Sequence, residues 1–176
     1  MPKRYRTTVT HLEMRENPHA HCPPPFGHYA LFRTVEMPIH FYRYLYHVVG
    51  RNHVWVHRKK MDDDALSAIV HSPNVEIYVL YIDGNPAGFF ELDFRHLPRA
   101  ELSFLGIVPE FIGRGFGRFL LCEALHAAWA RSPSKVTIQT CTLDHPRALP
   151  LYQRHGFVPY AQEEVELEDD GEGPGF

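Results

Sequence analysis

Residues 101–121 read ELSFLGIVPEFIGRGFGRFLL, and this run constrains the fold more than any other part of the chain. An apolar, alternating stretch ends at Val108-Pro109, as a strand does. Gly113, Gly115 and Gly117 follow, and from Phe116 the apolar residues Phe119, Leu120 and Ala124 recur at helical spacing. Strand, glycine loop and helix in direct succession bring flexible backbone and unsatisfied helix N–H groups to the end of a strand, where an anion binds well. Arg114 and Arg118 add positive charge. The spacing excludes a Walker A loop, which needs a Lys after its last glycine. It also excludes the dinucleotide fingerprint, because Arg118 stands at the third glycine position. Ile107 and Val108 close the strand just before the loop.

The flanking sequence predicts a strand at 29–36, then a helix opened by Pro38 and ended by Gly50. A second helix is expected at 62–72, where Asp62, Asp63 and Asp64 cap its start and complement its dipole. Residues 75–82 and 87–94 are β-branched and aromatic and flank Asp83-Gly84-Asn85-Pro86, a hairpin signal. After the third such run at 100–108 come the helix from Phe116, a strand at 135–143, a short helix at 145–156 and a last strand at 157–167. A strand at 135–143 can pair parallel to 100–108 through the intervening helix. The expected fold is α/β, a mixed sheet with helices on its faces, and the missing βαβ repeat counts against a doubly wound dinucleotide fold.

Charge divides the chain unevenly. Among 176 residues there are 18 Lys+Arg and 21 Asp+Glu, but residues 162–176 hold seven acids and no base. The weakly basic remainder lacks the dense cationic stripe of a nucleic-acid binder and suits a small anion. Residues 1–28, with HAHCPPPFGH, read as an irregular Pro-rich arm, 29–161 as one domain, and 162–176 as a disordered acidic tail. Cys22, Cys122 and Cys141 match no zinc or CxxC spacing and read as reduced thiols of a cytoplasmic protein. No apolar run approaches the roughly 20 residues of a membrane span. The pairs His19/His21 and His53/His57 lack the companions that a metal site needs, so no metal is expected.

With a downstream segment added, the chain resembles the GCN5-related N-acetyltransferase (GNAT) superfamily. Its acetyl-CoA loop, Q/R-x-x-G-x-G/A, is similar to residues 112–117, although Ile112 departs from the preferred side chain. Its later helix, N-x-x-A-x-x-x-Y-x-x-x-G-F, is similar to HPRALPLYQRHGF at 145–157, with His145 in place of Asn. The resemblance implies a mostly antiparallel sheet with helices on both faces and a bulged central strand, here near Gly106, that opens a cosubstrate cleft. It implies acetyl-CoA as cosubstrate, contacted by the backbone of Ile107 and Val108, by Gly113, Arg114, Gly115, Phe116, Gly117 and Arg118, and by His145. It implies direct acetyl transfer to a primary amine of a small molecule or peptide, with Tyr152 as acid for the departing thiolate. Glu101 stands at the base position, and strand alternation would place Ser103 and Leu105 on its face. On the acceptor side it implies the aromatic-rich stretch containing Phe41, Tyr42, Tyr44, Tyr46, Trp55 and His57 beside Asp62 to Asp64, residues that equally suit core or a homodimer face. Neither nucleic acid nor a membrane is expected as a partner. A non-catalytic CoA-binding or regulatory domain on the same fold stays open as the alternative.

Overall fold

Alternation along the central strands sets the two faces of the sheet. The computed structural model describes residues 1–171. In β3 (Val75–Ile82), Val75, Ile77 and Val79 enter one core while Leu80 and Ile82 enter the other. Asp83 and Gly84, both at positive φ, turn the chain tightly into β4 (Asn85–Asp93), as the hairpin signal predicts. The other strands are β1 (Lys3–Met14), β2 (Tyr29–Arg33), β5 (Arg99–Ile107), β6 (Lys135–Cys141) and β7 (Val158–Asp169). They form one sheet of order β2-β3-β4-β5-β6-β1-β7, antiparallel throughout except between β5 and β6.

Helices α1 (Ile39–Gly50) and α2 (Asp63–Val70) cover one face, burying Tyr42, Leu45, Val49, Leu66 and Ile69 against Ile77, Val79 and Phe89. The Asp62 carboxylate caps α2 by accepting from the Ala65 N–H at 2.8 Å. Helix α3 (Phe116–Trp129) covers the opposite face, where Phe119, Leu120 and Leu125 meet Phe90, Leu102 and Val136, and α4 (Ala148–Arg154) adds Tyr152 to that core. Among the described residues, no helix is long and apolar enough to cross a membrane.

Two expectations at the chain ends are corrected. The first 28 residues are not irregular throughout, because β1 lies between β6 and β7 and buries Thr7, Thr10, Leu12 and Met14. Its Thr-Thr-Val-Thr core favours a strand, and its polar flanks hide the pattern. Nor is the acidic segment a disordered tail from residue 162: residues 162–169 continue β7, with Glu164, Glu166 and Glu168 opposite Thr8, Arg6 and Arg4. Arg4 reaches Glu168 at 2.8 Å, and Thr8 donates to Glu164 at 2.9 Å. Unlike charges across adjacent strands favour that register. Residues 172–176 lie outside the described residues.

Residues 15–28 do follow an irregular path, across the outside of α3. His126 donates to Ala20 O at 2.6 Å, and Cys22 is disulfide-bonded to Cys122, so these two cysteines are not the reduced thiols expected; Cys141 is free. His155 completes a Cys22, Cys122 and His155 grouping.

Candidate functional site

Parallel pairing between β5 and β6 begins at Arg99 opposite Lys135 and stops at Leu102 opposite Ile138. A bulge accompanies the parting. On the β4 side, Leu92 faces Leu102 but Glu91 faces Phe104, leaving Ser103 without a partner. Beyond it, β5 stays with β4 and separates from β6, opening a cleft of about 770 Å³. Ser103, Leu105 and Ile107 line one wall, and Gln139, Thr140 and Cys141 the other. The bulge is thus at Ser103 rather than near Gly106. Gly106 has a different role, because a Cβ there would strike the Val49 side chain of α1. Displacing the bulge also reverses the alternation. Leu102 and Leu105 enter the same core and Phe104 the other, so Glu101 and Leu105 point to opposite faces.

The glycine loop closes one end of the cleft. Gly113 and Gly115 hold φ of 88° and 86°, a region that other L-residues avoid, and open space surrounds Gly113 and Gly117 where a Cβ would stand. Gly115 is the N-cap of α3 with no side-chain cap, so the first N–H groups of that helix are free to meet an anion. Gly113, Gly115, Gly117 and Arg118 line the cleft. Arg114 is placed differently, with its guanidinium over the Phe111 ring at 5.2 Å, beside a smaller hollow that Arg118 also borders. Phe116 offers only backbone, since its side chain is core against Tyr29 and Phe119. Ile112, 44% exposed, lines the cleft without a polar group. The Val108 N–H donates to Ala87 O at 2.7 Å, so it cannot serve a ligand as expected.

Tyr152 stands in the cleft wall at 6% exposure, and among the described residues its hydroxyl has no hydrogen-bond partner. Burial, followed by the Asp144 charge, pushes its pKa well above the phenol value, so the proton stays on oxygen at neutral pH. His145 also lines the cleft, and its Nδ1 accepts from the Arg147 N–H at 3.1 Å where α4 begins. His145 stands where the family has Asn, and with Nδ1 accepting, Nε2 carries the hydrogen in the neutral ring. Glu101 is placed less favourably. It pairs with Asp93 and Thr137 in the closed part of the sheet, lies 3.9 Å from Arg99 and forms no part of the cleft wall. Ser103 does line it.

A family model described as the acetyltransferase (GNAT) family matches residues 41–157, which include the bulged strand, the glycine loop and the Tyr152 helix. The chain belongs to the GNAT acetyltransferase family. Solved structures agree on the fold. A functionally unknown conserved protein from Staphylococcus epidermidis has a TM-score of 0.59 at 12% identity, over 95% of this chain and 63% of that one. A tandem GNAT protein from the clavulanic acid biosynthesis pathway gives 0.65 at 17%, over 95% and 55%. An aminoglycoside acetyltransferase from an uncultured soil metagenomic sample, in complex with trehalose, gives 0.59 at 17%, over 78% and 91%. The chain therefore spans 63% and 55% of the lengths of the first two. No curated protein matches it by sequence.

On the α1 side of this GNAT cleft, the expected aromatic stretch separates into unlike roles. Tyr46, Trp55 and His57 line the cleft. Phe41 and Tyr44 stack on each other, and Tyr42 is buried, donating to Glu91 at 2.6 Å. Of the three aspartates, Asp62 caps α2 and Asp63 pairs with Arg43 at 2.8 Å. Glu91 has no exposure and also accepts from Arg58 at 2.8 Å, which pins the loop between α1 and α2 to the sheet. That loop bridges the cleft to the segment after β6: Trp55 Nε1 donates to Asp144 at 3.2 Å, and His53 Nδ1 donates to Leu143 O at 3.1 Å. Reading the sequence missed Asp144, the bridging role of His53, and Val9, Glu163 and Val165, which line the cleft from β1 and β7. The alternating Thr-Thr-Val-Thr run beside basic residues, set against the alternating acids at 163–168, was the signal that could have found the last three.

Proposed function

We propose that the chain is an acetyl-CoA-dependent N-acetyltransferase acting on a primary amine. The observation that carries this is one cleft that joins an uncapped, glycine-lined helix start to the hydroxyl of the largely buried Tyr152, which has no partner among the described residues. The free amides of residues 113–117 and Arg118 suit a pyrophosphate, with Arg114 close by. The edge of β5 released from β6 offers main-chain groups to an extended pantetheine arm. Tyr152 keeps its proton at neutral pH and can give it to a leaving thiolate. His145, through Nε2–H, supplies a second donor in the wall.

The amine reaches the cleft from the α1 side, where Val9, Tyr46, Trp55, Phe104, Val165 and Leu167 form an apolar surface with Glu163 at its edge. These residues favour an amine with an apolar or aromatic body. We place the activity where acetyl-CoA is supplied, with neither nucleic acid nor a membrane as partner. The test is thiol release from acetyl-CoA with phenethylamine, tyramine, hexylamine, spermidine and lysine methyl ester. Amine-dependent release is expected, strongest for the arylalkyl amines. Stabilisation by CoA without release for any amine would instead mean a non-catalytic CoA-binding domain.

A further inference from the structure

We infer that His53 is the base that takes the acceptor's proton, through Nε2. This rests on the acetyl-transfer reading above and replaces Glu101 in that role.

The carboxylates and imidazoles of the cleft wall are Asp144, Glu163, Glu166, His53, His57 and His145. Asp144 accepts from Trp55 on one oxygen and from Thr140 at 2.7 Å and the Cys141 N–H at 3.0 Å on the other, so it is already satisfied. Glu163 is held by His11 at 2.9 Å, and Glu166 lies 3.5 Å from Arg4. His57 is exposed, and among the described residues no hydrogen bond fixes its ring. His145 uses Nδ1 as acceptor, so its neutral ring presents Nε2–H and can only donate. His53 is the reverse case. A carbonyl can only accept, so the contact to Leu143 O puts the hydrogen on Nδ1 and leaves the Nε2 lone pair with no partner among the described residues. The two rings stand 6.4 Å apart in opposite tautomers, one offering a hydrogen and the other a lone pair. A backbone carbonyl behind the other ring nitrogen also fixes the ring's orientation, which a base needs.

The step balances. The ammonium form of the acceptor gives one proton to His53 Nε2, and the freed lone pair forms the C–N bond at the thioester carbon. The C–S bond breaks with its electron pair on sulfur, which takes a proton from Tyr152. The proton shed by the new amide nitrogen restores Tyr152 through water, and His53 releases its own to solvent.

The test separates a base from a mere clamp. Asn at position 53 can still donate to Leu143 O but has no ring lone pair. With the panel amine of highest kcat/KM, His53→Asn should lower kcat about a hundredfold or more, with the acetyl-CoA KM within about twofold. Added imidazole should restore much of the rate to His53→Ala and none to wild type. Wild-type kcat in His53→Asn, or no imidazole rescue of His53→Ala, overturns the assignment while leaving acetyl transfer intact. A wild-type chain that releases no CoA with any amine overturns both.

Discussion

Removing Arg58 should cost more than removing any surface charge, and its neighbours give the magnitude. Glu91 has no exposure and keeps two partners, the Arg58 guanidinium at 2.8 Å and the Tyr42 hydroxyl at 2.6 Å. Arg58 itself is 12% exposed, and its ring neighbour Phe104 lies 5.4 Å away. Arg58→Met fills similar volume but strands the carboxylate in a low-dielectric site, which costs about 3–5 kcal/mol. At about 2–4 °C per kcal/mol for a chain of this size, Tm should fall by roughly 6–20 °C. Replacing the whole group by Arg58→Met, Glu91→Leu and Tyr42→Phe removes the stranded charge, so the triple variant should regain most of that loss. Urea unfolding of wild type, single and triple variants measures it. A single variant within about 1 kcal/mol of wild type, or a triple variant no better than the single, would mean that Glu91 is not a stranded charge once Arg58 is gone.

Tyr152→Phe should lower kcat about a hundredfold with little change in acetyl-CoA affinity, and an unchanged kcat would remove Tyr152 from the acid role. Stability should fall on acidification. Burial raises the Asp93 pKa, but the Arg95 hydrogen bonds outweigh it; the Lys59 hydrogen bond lowers Asp169 and the Lys135 bond lowers Glu13. Carboxylates depressed in the folded state stabilise it above the unfolded value of about 4, and that contribution is lost as pH falls through their lower folded values. Melting curves from pH 6 to pH 2 should show the decline, and Lys59→Met should flatten it; a constant Tm would contradict it. Reducing Cys22–Cys122, which are 100 residues apart, removes a cross-link worth about 4–5 kcal/mol in the loop-entropy model. Dithiothreitol should therefore lower Tm by about 10 °C or more, whereas a shift below about 1 °C would mean the bond adds no stability.

What could be read from the sequence was local. The β3–β4 hairpin, the α2 cap at Asp62 and the glycine loop before α3 each depend on a few adjacent residues, and the structure places them where the spacing predicts. What escaped depends on distant partners. β1 is polar enough to pass for an arm until its register with the acids of β7 is known. One extra residue at Ser103 reverses the face of Glu101 relative to Leu105, and no propensity locates a bulge that closely. The His53 tautomer is set by a carbonyl 90 residues away. Tyr152 and Arg118 were legible because a motif marks them, whereas the bridge from Trp55 to Asp144 follows from how two loops meet.

The most direct test of the account is a crystal structure of the chain with CoA. It should show the pantetheine arm between residues 103–107 and 139–141, the pyrophosphate on the amides of residues 113–117, and the thiol sulfur within about 4 Å of Tyr152 Oη, allowing for the longer reach of sulfur contacts. CoA bound elsewhere, or a sulfur remote from Tyr152, would contradict it.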